Sequence, residues 1–497
     1  MDRFADSTTL YWHDYETWGA DPGYDRPLQF AGQRTDLDLN PLGPPLCLFM
    51  RPPRDYLPHP EACLVTGITP QQAEARGVCE AEFIAAIEAE LARPGTCGLG
   101  YNSLRFDDTL TRFTLYRNLR DPYAREFGAG RSRWDIIDAL RTAYALRPQG
   151  LEWPRREDGL PSFRLEDLSA ANGIAHGDAH DARADVEATI ALAKRLRERQ
   201  PKLYEWLYRH RAKRAVRGLV DVASRQPLLH ISGMFGAARA NLGLVLPLAW
   251  HPVNRNELLC ADLSVDARLL IDLPIDELGR RLYTPAAALP PDQPRPGLKS
   301  VHLNRCPVLL PVKMLDDAAA RRAALDRDTC RHNLRALREH ENRYPGVVED
   351  RLRALAALDR GAAESDPELM LYSGGFIPET DRRTLQRLLA LPPAALGAES
   401  PVFEDPRLAE LLFRYRARNW PETLCADERQ RAEAFRRQRL ADGGPRGLSL
   451  ERFRREIDSA LARAGVSARD RRILHALHSW GDELRAGSER AVSLAEP

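Results

Sequence analysis

The chain has 497 residues, with 72 Lys+Arg against 71 Asp+Glu and a formal net charge of +1. A hydrophobic fraction of 43% supports ordinary packed cores and excludes wholesale disorder, and the length suits about two to four domains. Taken whole, near-neutrality argues against a uniformly basic nucleic-acid coat protein.

In chain order, residues 1–200 read as α/β. Short apolar runs (Leu10–Trp12, Leu46–Met50, Cys97–Tyr101) alternate with helical patterns (Glu80–Ala92, Asp107–Leu119, Trp134–Leu146, Ala182–Arg199). The basic stretch PKLYEWLYRHRAKRAVRG at 201–218 marks a junction. Residues 201–350 carry strand-like runs at Leu228–Ser232, Leu244–Ala249, Leu258–Leu263 and Val308–Val312, a loop at Leu289–Gly297, and then a helix near Arg327–Arg343. Residues 351–497 are helical by pattern: Leu352–Leu358, Asp381–Leu389, Arg407–Arg418, Asp427–Arg439, Leu450–Ala464 and Ala468–Arg485. The expected division is therefore 1–200, 201–350 and 351–497.

Split this way, the charge is not uniform. The first segment has 24 basic and 31 acidic residues, the second 23 and 17, and the third 25 and 23. Only Lys194, Lys202, Lys213, Lys299 and Lys313 are lysines. The arginine bias fits a GC-rich genome, but arginine also gives planar, two-pronged phosphate contacts. Eight cysteines, at 47, 63, 79, 97, 260, 306, 330 and 425, form no CxxC pair. That speaks against a cysteine zinc site and for reduced thiols. The start MDRFADSTTLYWHDYE lacks the apolar core of a signal peptide, and no apolar run approaches the roughly 18 residues of a membrane span. The expectation is a soluble, cytoplasmic protein.

Three polar clusters carry chemistry. In a strand, Asp14 and Glu16 of Asp14-Tyr15-Glu16 point to one face, and adjacent carboxylates repel unless a cation lies between them. All-oxygen ligands suit Mg²⁺ or Mn²⁺; a solvated strand edge is the plainer reading of this motif alone. In Asn102-Ser103-Leu104-Arg105-Phe106-Asp107-Asp108 an apolar run ends in a polar turn before a helix. There Asp107 or Asp108 would cap the helix, or join Asn102 and Arg105 in a polar pocket. In His176-Gly177-Asp178-Ala179-His180-Asp181, followed by Asp185, His180 and Asp185 can face one cleft at a helix entrance; a His- and Asp-rich surface loop is the alternative.

The order of a strand DxE, an NxxxFD about 90 residues on and an HxxxxD about 75 further resembles the DEDDh 3′–5′ exonucleases of the RNase H-like fold. Thr66-Gly67-Ile68-Thr69 is also similar to a family segment. The resemblance implies metal roles for Asp14, Glu16, Asp107 and Asp185, binding two divalent ions, and a general-base role for His180. Asp107 is preferred to Asp108 because the family's ligand directly follows the Phe.

HDYETWG, DRPLQFAGQRTD, TGITPQQA, LGYNSLRFDDTLTR, SRWDIIDALRTAYALRP, GLPSFRLEDLSAANGI, HDARADVEATIALAK, HISGMFGA, PLAWHP, NRCPVL and LLFRYRARN together resemble bacterial exodeoxyribonuclease I, from about residue 8 to about 485. This implies an α/β exonuclease domain, an SH3-like β-rich domain and a C-terminal helical domain, forming a C-shaped single-chain clamp on single-stranded DNA. The implied reaction is Mg²⁺-dependent 3′→5′ hydrolysis to 5′-mononucleotides in DNA repair and recombination, by a monomer. An exoribonuclease, a non-catalytic single-strand-binding scaffold, and a protein without nucleic acid are the alternatives.

Single-strand binders combine a basic groove with base-stacking aromatics. Trp18 is the candidate stacking residue, with a core tryptophan as the alternative. Arg112 and Arg117 are candidate groove residues. In Phe413-Arg414-Tyr415-Arg416-Ala417-Arg418, aromatics interleave with Arg414, Arg416 and Arg418; the alternative is an amphipathic helix with Phe413 in the core and solvated arginines. Arg133 and Trp134 share this ambiguity, and the resemblance suggests Arg164 near the active site. It also implies a contact with the acidic, Phe-ending tail of single-stranded-DNA-binding protein, for which Arg147, Trp206 and Arg338 are candidates. Asp316, Asp317 and Gln226 stand where more basic residues are expected, which weakens that contact. Neutrality then reads as a cancellation between a metal site and a DNA groove, with a steep salt dependence of DNA affinity.

Overall fold

The computed structural model describes residues 8–175, 177, 181–358 and 364–493. The chain packs into two compact units: Met1–Ser132 with Gly177–Glu187 and Ala363–Pro497, and Arg133–His176 with Ala188–Ala362. All eight cysteines are free. No described helix is long and apolar enough to cross a membrane.

The first unit is built on strands β1 (Thr9–Thr17), β2 (Pro27–Thr35), β3 (Leu46–Phe49) and β4 (Thr96–Gly100). Their order is β3-β2-β1-β4. β1 is antiparallel to β2 and parallel to β4; β2 is antiparallel to β3. β1 runs farther than its apolar stretch, because its far half is polar by design: it carries Asp14 and Glu16. β2 shows no sequence alternation because both its faces are buried, so Pro27, Gln29 and Gly32 disguise a central strand. On one face, Tyr11, Tyr15, Phe30, Phe83, Ile84, Leu110 and Leu115 form a core between sheet and helices.

The last third of the chain belongs to this same unit. Trp18, Tyr24 and Leu28 share a core with Phe453, Ile457, Leu474 and Trp480. Each large apolar side chain buried there contributes roughly 1.5–3 kcal/mol. The Tyr24 hydroxyl donates to the Gly443 carbonyl at 3.1 Å, and Asn419 Oδ1 accepts the Ala81 N–H at 3.0 Å. The compact units are therefore assembled from segments that are not contiguous in the chain. Tertiary burial of residues far apart in sequence has no periodic signal.

β5 (Ser132–Asp135) begins at the unit boundary. The expected helix from Trp134 starts instead at Ile136, because Trp134 and Asp135 are extended and the Asp135 carboxylate caps Ile137 N–H at 3.1 Å. The second unit holds an antiparallel sheet of β6 (Leu228–Ile231), β7 (Leu242–Trp250), β8 (Glu257–Asp262), β9 (Leu298–His302) and β10 (Val308–Pro311), in the order β10-β6-β7-β8-β9. Its core is Val216, Leu228, Val245, Leu258, Cys260, Val301, Leu303 and Leu309. The helix Arg327–Arg343 has its expected bounds.

Candidate active site

Asp14 and Glu16 leave β1 on the same face, two residues apart. The β1–β4 pairing stops at Trp12–Leu99, and farther along β1 the Tyr15 N–H donates to Asp107 Oδ1 at 3.2 Å. Asp107 is thus brought to the strand between the two first carboxylates. Gly100 ends β4 where an added Cβ would lie 2.5 Å from the His13 carbonyl oxygen, and Asn102 turns the chain at φ 60°. The helix Asp107–Arg117 then starts with both aspartates in its first turn and Phe106 as its cap. Neither aspartate is the N-cap residue. Asp108 instead pairs with buried Arg125 at 2.8 Å, which leaves Asp107 as the carboxylate on the strand.

The helix Ala182–Arg199 supplies Asp185 in its first turn. Ligand oxygens of Asp14, Glu16 and Asp185 lie within 4.8 Å of one another. Burial pushes the Asp14 carboxyl well above its ordinary value, reinforced by Asp107, Glu16, Asp185 and Asp181. Glu16 is pushed up to about 9, by burial and then by Asp185, Asp107 and Asp181. Like charges gathered at low dielectric want a counter-ion. An all-carboxylate donor set of this compactness fits a hard divalent cation. His180, the expected general base, lies outside the described residues, as do His176, Asp178 and Ala179.

Three family models match the chain: an exonuclease model over residues 11–193, an exonuclease I SH3-like domain over 211–354, and an exonuclease I C-terminal domain over 365–484. Exodeoxyribonuclease I of Escherichia coli K12 is 47% identical over 438 residues, 88% of this chain and 91% of that protein. The chain belongs to the exodeoxyribonuclease I family. A moderately thermophilic exonuclease I from Methylocaldum szegediense superposes with a TM-score of 0.91 at 49% identity, covering 96% of this chain and 99% of that one. E. coli exonuclease I bound to a dA16 oligonucleotide gives 0.90 at 43%, covering 96% and 100%. The E. coli enzyme is also known in a zinc-bound complex with single-stranded DNA, and an SSB/exonuclease I complex with an inhibitor is a further solved relative, 42% identical. As a member of the exodeoxyribonuclease I family the chain is a hydrolytic exonuclease.

Several expected DNA contacts lie elsewhere. Trp18 is 0% exposed and sits in the core with Trp480, so it offers no face to a base. Arg112 is buried in a two-pronged pair with Glu126 at 2.6 and 2.9 Å, and its Nη1 donates to the Tyr372 hydroxyl. Arg117 pairs with buried Glu80 at 2.9 Å. Arg414 pairs with Asp366 and Glu410, Arg416 with Glu428, and Arg418 with Asp55 and Glu368. The helix Arg407–Asn419 buries Phe413, as the amphipathic reading expects, but its arginines are engaged in ion pairs rather than solvated. The physical reason is that this helix packs on most of its faces, and guanidiniums buried there need carboxylate partners. Asn102 is half-buried, while Arg105 and Arg164 are exposed. Arg164 pairs locally with Glu166.

In the second unit, Arg133 donates to the Asn304 carbonyl and Trp134 packs edge-on against Tyr204. Arg147 pairs with Asp316 at 3.5 Å, Trp206 stacks on His210 at 3.7 Å, and exposed Arg338 donates to the Arg225 carbonyl. Two residues near the carboxylates carry no role in the sequence reading, Gln29 and Asp181. The available signal for Gln29 is its place in DRPLQFAGQRTD, a polar residue in a strand buried throughout.

Proposed function

We propose that the chain removes nucleotides from the 3′ end of single-stranded DNA and releases 5′-mononucleotides, using two Mg²⁺ ions held by Asp14, Glu16, Asp107 and Asp185. Mn²⁺ serves in the same site. The observation that carries this reading is the convergence of Asp14, Glu16 and Asp185 within 4.8 Å, with Asp107 joined to the strand between the first two. The zinc-bound DNA complex of the E. coli enzyme supports a divalent ion at such a site.

Bound divalent ions supply the positive charge that offsets a phosphodiester and favours hydroxide as nucleophile. The protein's part is to hold the four carboxylates in place and to keep Asp14 and Glu16 ionised, which the burial of those two otherwise opposes. His180, five residues before Asp185 in HxxxxD, accepts the proton of the attacking water. Asn102 and Arg105, in the turn before Asp107, contact the DNA, with Arg164 a further contact. Repair and recombination is the expected setting and the cytoplasm the expected location, with the chain acting as a monomer.

The acidic tail of single-stranded-DNA-binding protein is the proposed protein partner, supported by the solved SSB/exonuclease I complex, whose exonuclease is 42% identical. Arg147, Trp206 and Arg338 are its proposed contacts. The Arg147–Asp316 pair weakens this contact, since a tail carboxylate must compete with Asp316 for Arg147.

The deciding experiment digests oligonucleotides labelled at the 3′ or the 5′ end with Mg²⁺, beside a matched RNA. Early release of the 3′ label from DNA is expected. Early release of the 5′ label, or faster digestion of RNA, overturns the assignment.

A further inference from the structure

Gln29 lies directly opposite Glu16 in the antiparallel pairing of β1 and β2. Directly opposed residues in such a pair share a face, so the Gln29 side chain stands beside the carboxylates. It is 3% exposed. Its Nε2 donates to Asp181 Oδ2 at 3.1 Å, and its Oε1 accepts the Ala182 N–H at 3.4 Å. The other Asp181 oxygen, Oδ1, accepts the N–H groups of Arg183 and Ala184 at 3.1 and 3.3 Å. The Asp181 carbonyl in turn accepts the Asp185 N–H at 3.1 Å.

We infer that Gln29 is a positioning residue for the metal site: through Asp181 it fixes the entrance of the Ala182–Arg199 helix to the sheet, and so holds Asp185 within reach of Asp14 and Glu16. Three elements supply the ligands, β1, the Asp107–Arg117 helix and this helix, and Gln29 spans from the sheet to the last of them with both ends of its amide engaged. Both amide ends are specified, a donor toward a carboxylate and an acceptor toward a backbone N–H. Asparagine is too short, and an arginine or lysine would bring a fixed cation beside a site built to take a mobile one. A neutral amide holds the capping carboxylate without offsetting the charge that attracts the metal. The inference rests on the proposed metal site and deepens it.

The test measures Mn²⁺ binding to the full chain by calorimetry, without DNA, for wild type, Asp185→Ala, Gln29→Met and Gln29→Glu. Gln29→Met keeps the volume and loses both hydrogen bonds; Gln29→Glu keeps the acceptor and loses the donor to Asp181. Both are expected to raise the Mn²⁺ dissociation constant about tenfold or more, the usual cost of removing an outer-shell partner. Wild-type Mn²⁺ affinity in either folded variant, with only the metal-free melting temperature lowered, makes Gln29 a structural residue and overturns the inference. Failure of wild type to bind Mn²⁺, or undiminished binding by Asp185→Ala, overturns the metal site itself. The two failures are thereby distinguishable.

Discussion

Asp14 and Glu16 are buried among Asp107, Asp185 and Asp181, and their carboxyls are pushed up. Asp55, Glu80 and Glu368 are as deeply buried in the same unit, yet theirs are held down. Burial alone pushes Glu368 up, but Arg418, Arg26 and Arg414 outweigh it and hold it well below the usual carboxylate range. Arg418 does the same for Asp55, and Arg117 with Arg26 for Glu80. The two clusters use one residue type under one constraint and differ in who brings the positive charge. Where the chain supplies it, the acids are structural ties between the sheet and the C-terminal helices, as in Arg26–Glu368 and Arg418–Asp55. Where the chain withholds it, the acids are left for an ion from solution.

The sharpest way to break this contrast is to remove one acid from each cluster. Asp14→Ala or Asp185→Ala should lower the hydrolysis rate by about 10³-fold or more, since the bound ions contribute several kcal/mol. The folded state should survive, as circular dichroism would show. His180→Ala should cost about 10²–10⁴-fold in turnover while DNA affinity is kept, measured by single-turnover kinetics and fluorescence anisotropy. Glu368→Ala should do the reverse: a loss of about 3–5 kcal/mol in denaturant unfolding, because buried Arg26 loses its nearest carboxylate and Arg418 keeps only Asp55.

The pH response separates the clusters next. Folded Glu16 sits near 9, against 4.5 for an ordinary glutamate, so between these values the folded chain keeps a proton that the unfolded chain has lost. Stability of the metal-free protein therefore falls as pH rises through that window. Saturating Mg²⁺ should flatten the slope, read as melting temperature with EDTA or Mg²⁺. The contribution of Asp55, Glu80 and Glu368 has the opposite sign: it is present above the usual carboxylate range and lost as pH falls below it. The smallest effect is reserved for Trp18→Phe. A core tryptophan predicts DNA affinity within about twofold of wild type, where loss of a stacking base platform would cost about 1–3 kcal/mol.

The pairing of Asp14 with Glu16 was legible from strand geometry, as residues i and i+2 in β1, whereas the roles of Asp107 and Asp185, and the choice of Asp107 over Asp108, came from the resemblance to the exonuclease family. The fold class was legible from alternating short strands and long helical periods. The arginines were not. A sequence gives their number and their helix, but whether Arg414, Arg416 and Arg418 meet phosphates or carboxylates depends on partners such as Asp366, Glu428 and Asp55, the last of which is 363 residues away. Trp18 was similarly undecided, since proximity to Asp14 in sequence says nothing about Trp480 behind it. Gln29 escaped notice because its meaning comes from the residue across the ladder.

The core shared by Trp18, Leu28, Phe453 and Trp480 has a consequence for biosynthesis. The strand with Asp14 and Glu16 leaves the ribosome early, whereas the Gly443 carbonyl that binds the Tyr24 hydroxyl follows 419 residues after it. At roughly 5–20 residues per second, that is a delay of some tens of seconds. Over that interval a nascent chain carries Trp18 and Leu28 without Phe453 and Trp480, the residues that bury them in the finished fold.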